Sequence, residues 1–368
     1  MPQFVLPTSA LVMGGVSSFL ICLIIIVTQQ WHGKFSHDHS AGVQKIHTQP
    51  TPRVGGIAIL FGLTLSLFFA SNLTIYPLLS AMILSALPVF LLGTLEDITK
   101  SISPTMRLWA AMISGVLAWW LTGFALTSVD VWGVDYLLSF TPVAVVFTAF
   151  CIAGMANAIN VIDGLNGLAS GAMLIALLFL SAIAYSAGDF IYVYICLLIA
   201  AVAFGFILFN FPFGKIFLGD GGAYLLGFLG GGLAVMLPMR NESISVWAPL
   251  LVFSYPILEV LFSIFRRRRR AHSPYHPDRL HLHSLIQARL FKNLTRNWLR
   301  PLQNSFASLI PWCFMLLGNL LALQFKGSTP ALMLCFIFMA ITYSFIYTYL
   351  VRFGHILRKP NRDLAKTN

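Results

Sequence analysis

Apolar residues run through this chain in long blocks separated by short polar segments. The blocks lie at 9–28, 54–72, 75–95, 107–123, 140–158, 166–187, 190–209, 220–239, 245–265, 304–325 and 330–351. A helix rises about 1.5 Å per residue, so roughly 20 residues cross the ~30 Å core of a bilayer. The pattern therefore predicts about eleven transmembrane helices and an all-α, polytopic integral membrane protein. The shortest block is 107–123. Apart from Arg266–Arg270, no low-complexity tract stands out.

The polar connections orient those spans. Of 23 Lys and Arg residues, 21 fall in the connections after odd-numbered spans, and two fall in the others. Cytoplasmic loops carry the basic excess of membrane proteins. The split predicts an outer N-terminus, a cytoplasmic C-terminus and an odd span count. All nine histidines lie on the same, cytoplasmic side. One transmembrane domain is expected over 1–351, with active-site loops at 29–53, 96–107, 157–166, 210–220 and 266–303. A basic tail follows at 352–368.

Composition narrows the function. The chain has 368 residues, 58% hydrophobic and 10% charged, with a net charge of +11. Soluble domains average about 25% charged residues. A cytosolic enzyme and a nucleic-acid binder are excluded, and the positive balance reports topology. The five cysteines sit in apolar runs without CxxC spacing, which predicts packing thiols and neither zinc nor disulfides. No basic residue precedes Lys34, so the first block is expected to be a span and not a cleaved signal.

The acids gather on the cytoplasmic side. Glu96-Asp97 ends the third block in Gly93-Thr-Leu-Glu-Asp-Ile-Thr-Lys100. Adjacent carboxylates there need solvent, a pairing partner or a cation. Lys100, four residues on from Glu96, is placed to pair with it or to reach a phosphate. Asn157, Asn160 and Asp163 follow at i, i+3 and i+6, within about 60° of one helix face. Asn166 and the glycines 164 and 167 make either a turn or a close approach to a ligand. In Asn210-Phe-Pro-Phe-Gly-Lys215-Ile-Phe217-Leu-Gly219-Asp220-Gly221-Gly222, Asp220 is either a helix N-cap or a metal carboxylate beside phosphate-binding backbone. Lys215 adds a positive charge to that loop. His281-x-His283, after Asp278-Arg279, suits diphosphate oxygens better than zinc. Glu259, inside the ninth block, reads as a structural polar residue near a kink allowed by Pro256. Four polar clusters on one membrane face converge on phosphoryl transfer.

These residues resemble the polyprenyl-phosphate N-acetylhexosamine-1-phosphate transferases, related to phospho-MurNAc-pentapeptide translocase. The likeness covers about 45–285 and five motifs in order: Pro50-Thr-Pro-Arg53-Val-Gly55-Gly56, the acidic pair with Lys100, 157–167, 210–222 and 278–283. It implies Mg²⁺ (Mn²⁺ as a substitute) on Asp220 with Asp163, and catalytic roles for Glu96, Asp97, Asp163, Lys100, Arg279, His281 and His283. It further implies substrate contacts by Lys45, Asn157, Asn160, Asn210, Lys215 and Phe217, the last stacking on uracil.

The implied substrates are UDP-N-acetylhexosamine and undecaprenyl phosphate. The implied location is the bacterial cytoplasmic membrane, with the active site facing inward, at the first membrane step of surface polysaccharide synthesis. Three positions depart from the family: Glu96 replaces an aspartate, Asn166 replaces an aspartate of some members, and Ser284 stands where a further histidine is frequent. A peptidoglycan translocase, a transporter and a noncatalytic scaffold are the alternatives. The eleventh span and Ser284 argue against the first. A transporter would place its polar site near the bilayer midplane.

Overall fold

A computed structural model describes residues 8–38, 50–70, 74–269, 280–292, 295 and 297–356. Lys45 and Arg279 lie outside the described residues. The helices are α1 (Thr8–Val27), α2 (Gln29–Ser36), α3 (Gly55–Phe69), α4 (Tyr76–Thr99), α5 (Pro104–Thr122), α6 (Val134–Leu138), α7 (Thr141–Ile162) and α8 (Leu168–Ser186). They continue as α9 (Phe190–Asn210), α10 (Gly219–Arg240), α11 (Trp247–Val252), α12 (Ser254–Arg269), α13 (Leu282–Ile286), a π turn (Gln287–Phe291), α14 (Arg300–Ala307), α15 (Leu309–Gln324) and α16 (Thr329–Ile356). The short strands His37–Asp38 and Thr51–Pro52 pair antiparallel, a feature the apolar pattern did not announce.

Each of the eleven apolar blocks is helical, and among the described residues eight helical segments, with α14 and α15 together as one (Arg300–Gln324), are long and apolar enough to cross a membrane. The other blocks differ from the simple expectation. α3 has only 15 residues. α5 carries Arg107 in its first turn. The ninth block is broken at Phe253 into α11 and α12. Proline explains part of that break: Pro256 has no N–H for the carbonyl of Val252. The Nδ2 of Asn319, on α15, donates to that carbonyl instead at 3.3 Å. Backbone groups in an apolar medium must be satisfied internally, and here a side chain does it.

α10 is the axis of the bundle. It packs against α3, α4, α7 and α8 and is almost wholly buried. Glycines make the approach possible. A Cβ at Gly56 would stand 2.4 Å from the backbone nitrogen of Gly222, and one at Gly93 2.7 Å from the Cα of Gly221. The glycines after Asp220 thus serve helix crossing. The outer helices expose apolar side chains instead, such as Val12, Leu20 and Ile24 on α1 and Leu334, Ile341 and Phe345 on α16. Such faces suit lipid.

At the end of α10 away from Asp220, Asp189 caps α9 by accepting from the N–H of Tyr192 at 3.2 Å. It also takes two bonds from Arg240 at 2.6 and 2.7 Å. Burial pushes its carboxyl up, but the arginine and the N–H outweigh burial and hold it below the usual range. One of the two basic residues outside the positive-inside pattern is therefore locked in an ion pair.

Candidate active site

The site forms where α10 begins. Gly219 has φ +74°, and its backbone leaves a Cβ no room against the carbonyl of Arg53 and the carboxylate of Asp97. That left-handed turn points the first N–H groups of α10 at the end of α4. Asp97 accepts them: Oδ1 from Asp220 N and Oδ2 from Gly221 N, both at 2.9 Å. A carboxylate at a helix N-terminus satisfies orphan donors and the helix dipole together. The structure therefore gives Asp97 a capping function across elements and leaves Asp220 facing outward from the cap.

Two arginines converge on the acids. Arg53 reaches Asp97 Oδ1 through Nε at 3.2 Å and Asp220 Oδ1 through Nη2 at 2.5 Å. Arg107 pairs with Asp220 Oδ2 and lies over the ring of Tyr224 at 5.7 Å. Asn160 donates to Asp220 Oδ1 at 3.1 Å. Asp97 and Asp220 are 3% and 4% exposed, so their charges are balanced by guanidinium groups and not by bulk water. Neither arginine is marked by the sequence as a site residue. Arg53 appears only within a motif, and Arg107 counts only as a loop charge. No local spacing signals them, since 167 positions separate Arg53 from Asp220.

The α7–α8 turn forms the floor. Asn157 accepts from the hydroxyl of Tyr224 at 3.4 Å. Asp163 follows α7 directly and is half-buried. Loss of surrounding water pushes its carboxyl up to about 7, against the pull of Arg53. Asn210 clasps the turn: its Oδ1 accepts from Gly167 N at 2.6 Å and its Nδ2 donates to the carbonyl of Ile216 at 2.7 Å. The backbone of Phe217 donates to the carbonyl of Pro52 at 2.8 Å, and its ring is half-buried. Lys215 is exposed.

The remaining candidates lie at the edges. Glu96 Oε2 accepts from the N–H of Ile102 at 2.7 Å, closing the turn after α4. Lys100 sits in that turn with φ +56°, within electrostatic range of Asp97. His281 and His283 stack with ring centroids 5.4 Å apart. The His283 ring lies against Gly164, beside Asp163, where an added Cβ would stand 2.6 Å from Nε2. Burial and neighbouring His281 push His283 down to about 4 despite Glu259, so the ring is neutral at pH 7. Asn166, one of the family departures, donates through Nδ2 to Ser305 Oγ at 3.2 Å and joins the turn to α14.

The groups that touch Asp220 are the N–H donors of Arg53, Arg107 and Asn160, so a hard cation such as Mg²⁺ would take the place of a guanidinium group there. Mg²⁺ commonly uses one or two carboxylates and completes its shell with water and substrate phosphates. Asp220 and Asp163 supply carboxylates of the kind that use needs. Among the described residues, no cluster of three or more His, Cys, Asp or Glu forms a complete protein cage.

The profile of glycosyl transferase family 4 matches residues 79–238, a stretch that includes Asp97, the α7–α8 turn and Asp220. An undecaprenyl-phosphate α-N-acetylglucosaminyl 1-phosphate transferase of Thermotoga maritima is 30% identical over 251 residues, covering 68% of this chain and 72% of that one. A probable undecaprenyl-phosphate N-acetylglucosaminyl 1-phosphate transferase of Bacillus subtilis is 29% identical over 252 residues, 67% of this chain and 68% of that protein. A phospho-N-acetylmuramoyl-pentapeptide-transferase of Clostridium perfringens is 29% identical over 247 residues, 62% of this chain and 76% of its own. With the profile covering Asp97, the α7–α8 turn and Asp220, and the Thermotoga relative 30% identical over more than two thirds of both chains, the chain belongs to glycosyl transferase family 4, the family of the polyprenyl-phosphate N-acetylhexosamine-1-phosphate transferases.

Proposed function

We propose that this chain transfers N-acetylhexosamine 1-phosphate from a UDP-sugar to undecaprenyl phosphate at the cytoplasmic face of a bacterial membrane and releases UMP. The product would begin a surface polysaccharide. The observation that carries this reading is the convergence of Arg53 and Arg107 on Asp220 and of Arg53 on Asp97, at the end of a buried helix. Such a site can offer two guanidinium groups to phosphate-bearing substrates without leaving them unpaired beforehand. An oxygen of the lipid phosphate forms a bond to the β-phosphorus of the UDP-sugar, and the bond from that phosphorus to the UMP oxygen breaks. A phosphate monoester with a second pKa of about 6 is mostly ionised at pH 7, so the attack needs no strong base. Arg53 and Arg107 neutralise the approaching anions, and Asn160 keeps the Asp220 carboxylate oriented. His281 is the donor next to the floor of the site. Bound Mg²⁺, held by Asp220 and Asp163, would supply charge shielding for the diphosphate.

The test is UMP release by the full chain in detergent with undecaprenyl phosphate, Mg²⁺ and a panel of UDP-N-acetylhexosamines. Release with one donor and its loss in EDTA support the reading. No release from folded protein with any donor overturns it, and leaves a transporter or scaffold. The Clostridium likeness favours a second reading, transfer of phospho-MurNAc-pentapeptide. Release with UDP-MurNAc-pentapeptide and not with simple sugars would select it.

A further inference from the structure

Glu259 is 0% exposed, deep in α12, yet it carries a full set of partners. Nδ1 of His281 stands 2.9 Å from its Oε1. The N–H of Leu282 donates to both oxygens at 3.2 Å, and the hydroxyl of Tyr255 donates to Oε2 at 3.3 Å. An ionised carboxylate only accepts, so the ring proton belongs on Nδ1 of His281 and Nε2 is left for another partner. Further along the same face of α12, at i+4 and i+7 from Glu259, stand Ser263 and Arg266. Ser263 Oγ lies 3.4 Å from His281 Nδ1. Arg266, 7% exposed although it opens the arginine run, donates to the carbonyl of Leu280 at 2.6 Å and to the hydroxyl of Tyr347 at 3.1 Å. Three side chains of one helix face therefore grip residues 280, 281 and 282 in turn.

We infer that this stripe of α12 is a positioning device for the transfer reaction, in which Glu259 is the positioning residue that holds the Nδ1–H and the angle of His281 so that the ring, when doubly protonated, donates its Nε2–H to substrate phosphate. The inference rests on the function proposed above. A residue needed only for packing would not require a carboxylate, since burying one costs several kcal/mol unless its charge is used. His283 cannot take the same part. It is neutral and packed against Gly164, while 12% of the His281 side chain stays exposed. A partner on the far nitrogen commonly tunes a working histidine by 10- to 100-fold.

The experiment is a double-mutant cycle on UMP release with variants E259Q, H281A and E259Q/H281A. E259Q keeps the volume, and thermal unfolding checks its fold. Expected is a 10- to 100-fold fall in kcat for E259Q, with KM for the UDP-sugar within about threefold of wild type. In the H281A background the same change should cost less than twofold, because the residue acts only through that ring. If E259Q does not fold, the cycle is run with E259D, whose shorter arm withdraws the carboxylate from Nδ1. Equal losses in both backgrounds, or wild-type kcat in E259Q, overturn the inference. A wild-type protein that releases no UMP with any donor instead overturns the transferase reading, so the two failures are distinct.

Discussion

Asp163 sits against the interest of stability, and Asp163→Asn measures by how much. Its carboxyl is pushed from the ordinary 3.8 up to about 7 by burial. The folded protein therefore holds a proton at Asp163 that the unfolded chain has already lost above pH 4. The stability linked to this group is full below about pH 4, falls as pH rises, and levels off above about pH 7. One pKa unit corresponds to about 1.4 kcal/mol, so complete burial would cost roughly 4 kcal/mol at pH 8. Asp163 is half-buried and keeps some water, which reduces the figure to about 2 kcal/mol. Asparagine does not titrate. The apparent Tm of D163N, followed by tryptophan fluorescence in detergent without divalent cations, should rise relative to wild type by a few °C between pH 5 and pH 8. Added Mg²⁺ should close the gap by stabilising wild type alone, and UMP release by D163N should fall at least 100-fold. Parallel Tm curves for the two proteins from pH 5 to 8 would refute the reasoning.

Four further outcomes are expected. Asp220→Asn leaves Arg53 and Arg107 facing a neutral amide, and UMP release should drop about 1000-fold while the protein still folds, as read by size-exclusion profile. Gly56→Ala drives a Cβ to 2.4 Å from a backbone nitrogen of α10, and thermal unfolding should show a loss of about 1–3 kcal/mol or more. Arg240→Ala breaks the clamp on Asp189 at the far end of α10; the Tm should fall while kcat stays within about twofold. Glu96→Gln keeps an acceptor for the N–H of Ile102, so UMP release should change by less than about tenfold, with an unchanged acid limb in the pH profile. A 1000-fold loss would instead make Glu96 the base.

Much of the fold was legible because a bilayer imposes one length on every apolar block. All eleven blocks became helices, and the boundaries of α1, α9 and α10 fell within a residue or two of the pattern. The break at Phe253 was less legible, because its repair comes from Asn319, 67 positions away. In the site, residue types were visible and their employments were not. Asp97 reads as a metal or base carboxylate until its oxygens are seen on the N–H groups of α10. Asn210 reads as a nucleotide contact until both ends of its amide are found holding the neighbouring loops together. Arg107 is hidden for the opposite reason: one arginine at the start of an apolar helix counts only as a loop charge. Glu259 reads as structural beside a proline, and only the fold shows that His281 is what it touches.

These residues share one physical constraint. A site for two anions needs cations within reach, yet an unpaired cluster of cations at a membrane rim would repel itself and bind anionic lipid indiscriminately. The chain meets this by internal pairing. Asp97 and Asp220 are nearly dry, and Arg53 bridges them while Arg107 closes on the second. Each carboxylate also does structural work: Asp97 caps α10, and Asp220 receives Asn160 from the floor. The charges proposed to prepare the site for phosphate are thus the charges that join the segment before α3 to α4, α5, α7 and α10. Loosening any of them would loosen the bundle, whereas residues 280–282 are gripped separately, by the α12 stripe of Glu259, Ser263 and Arg266.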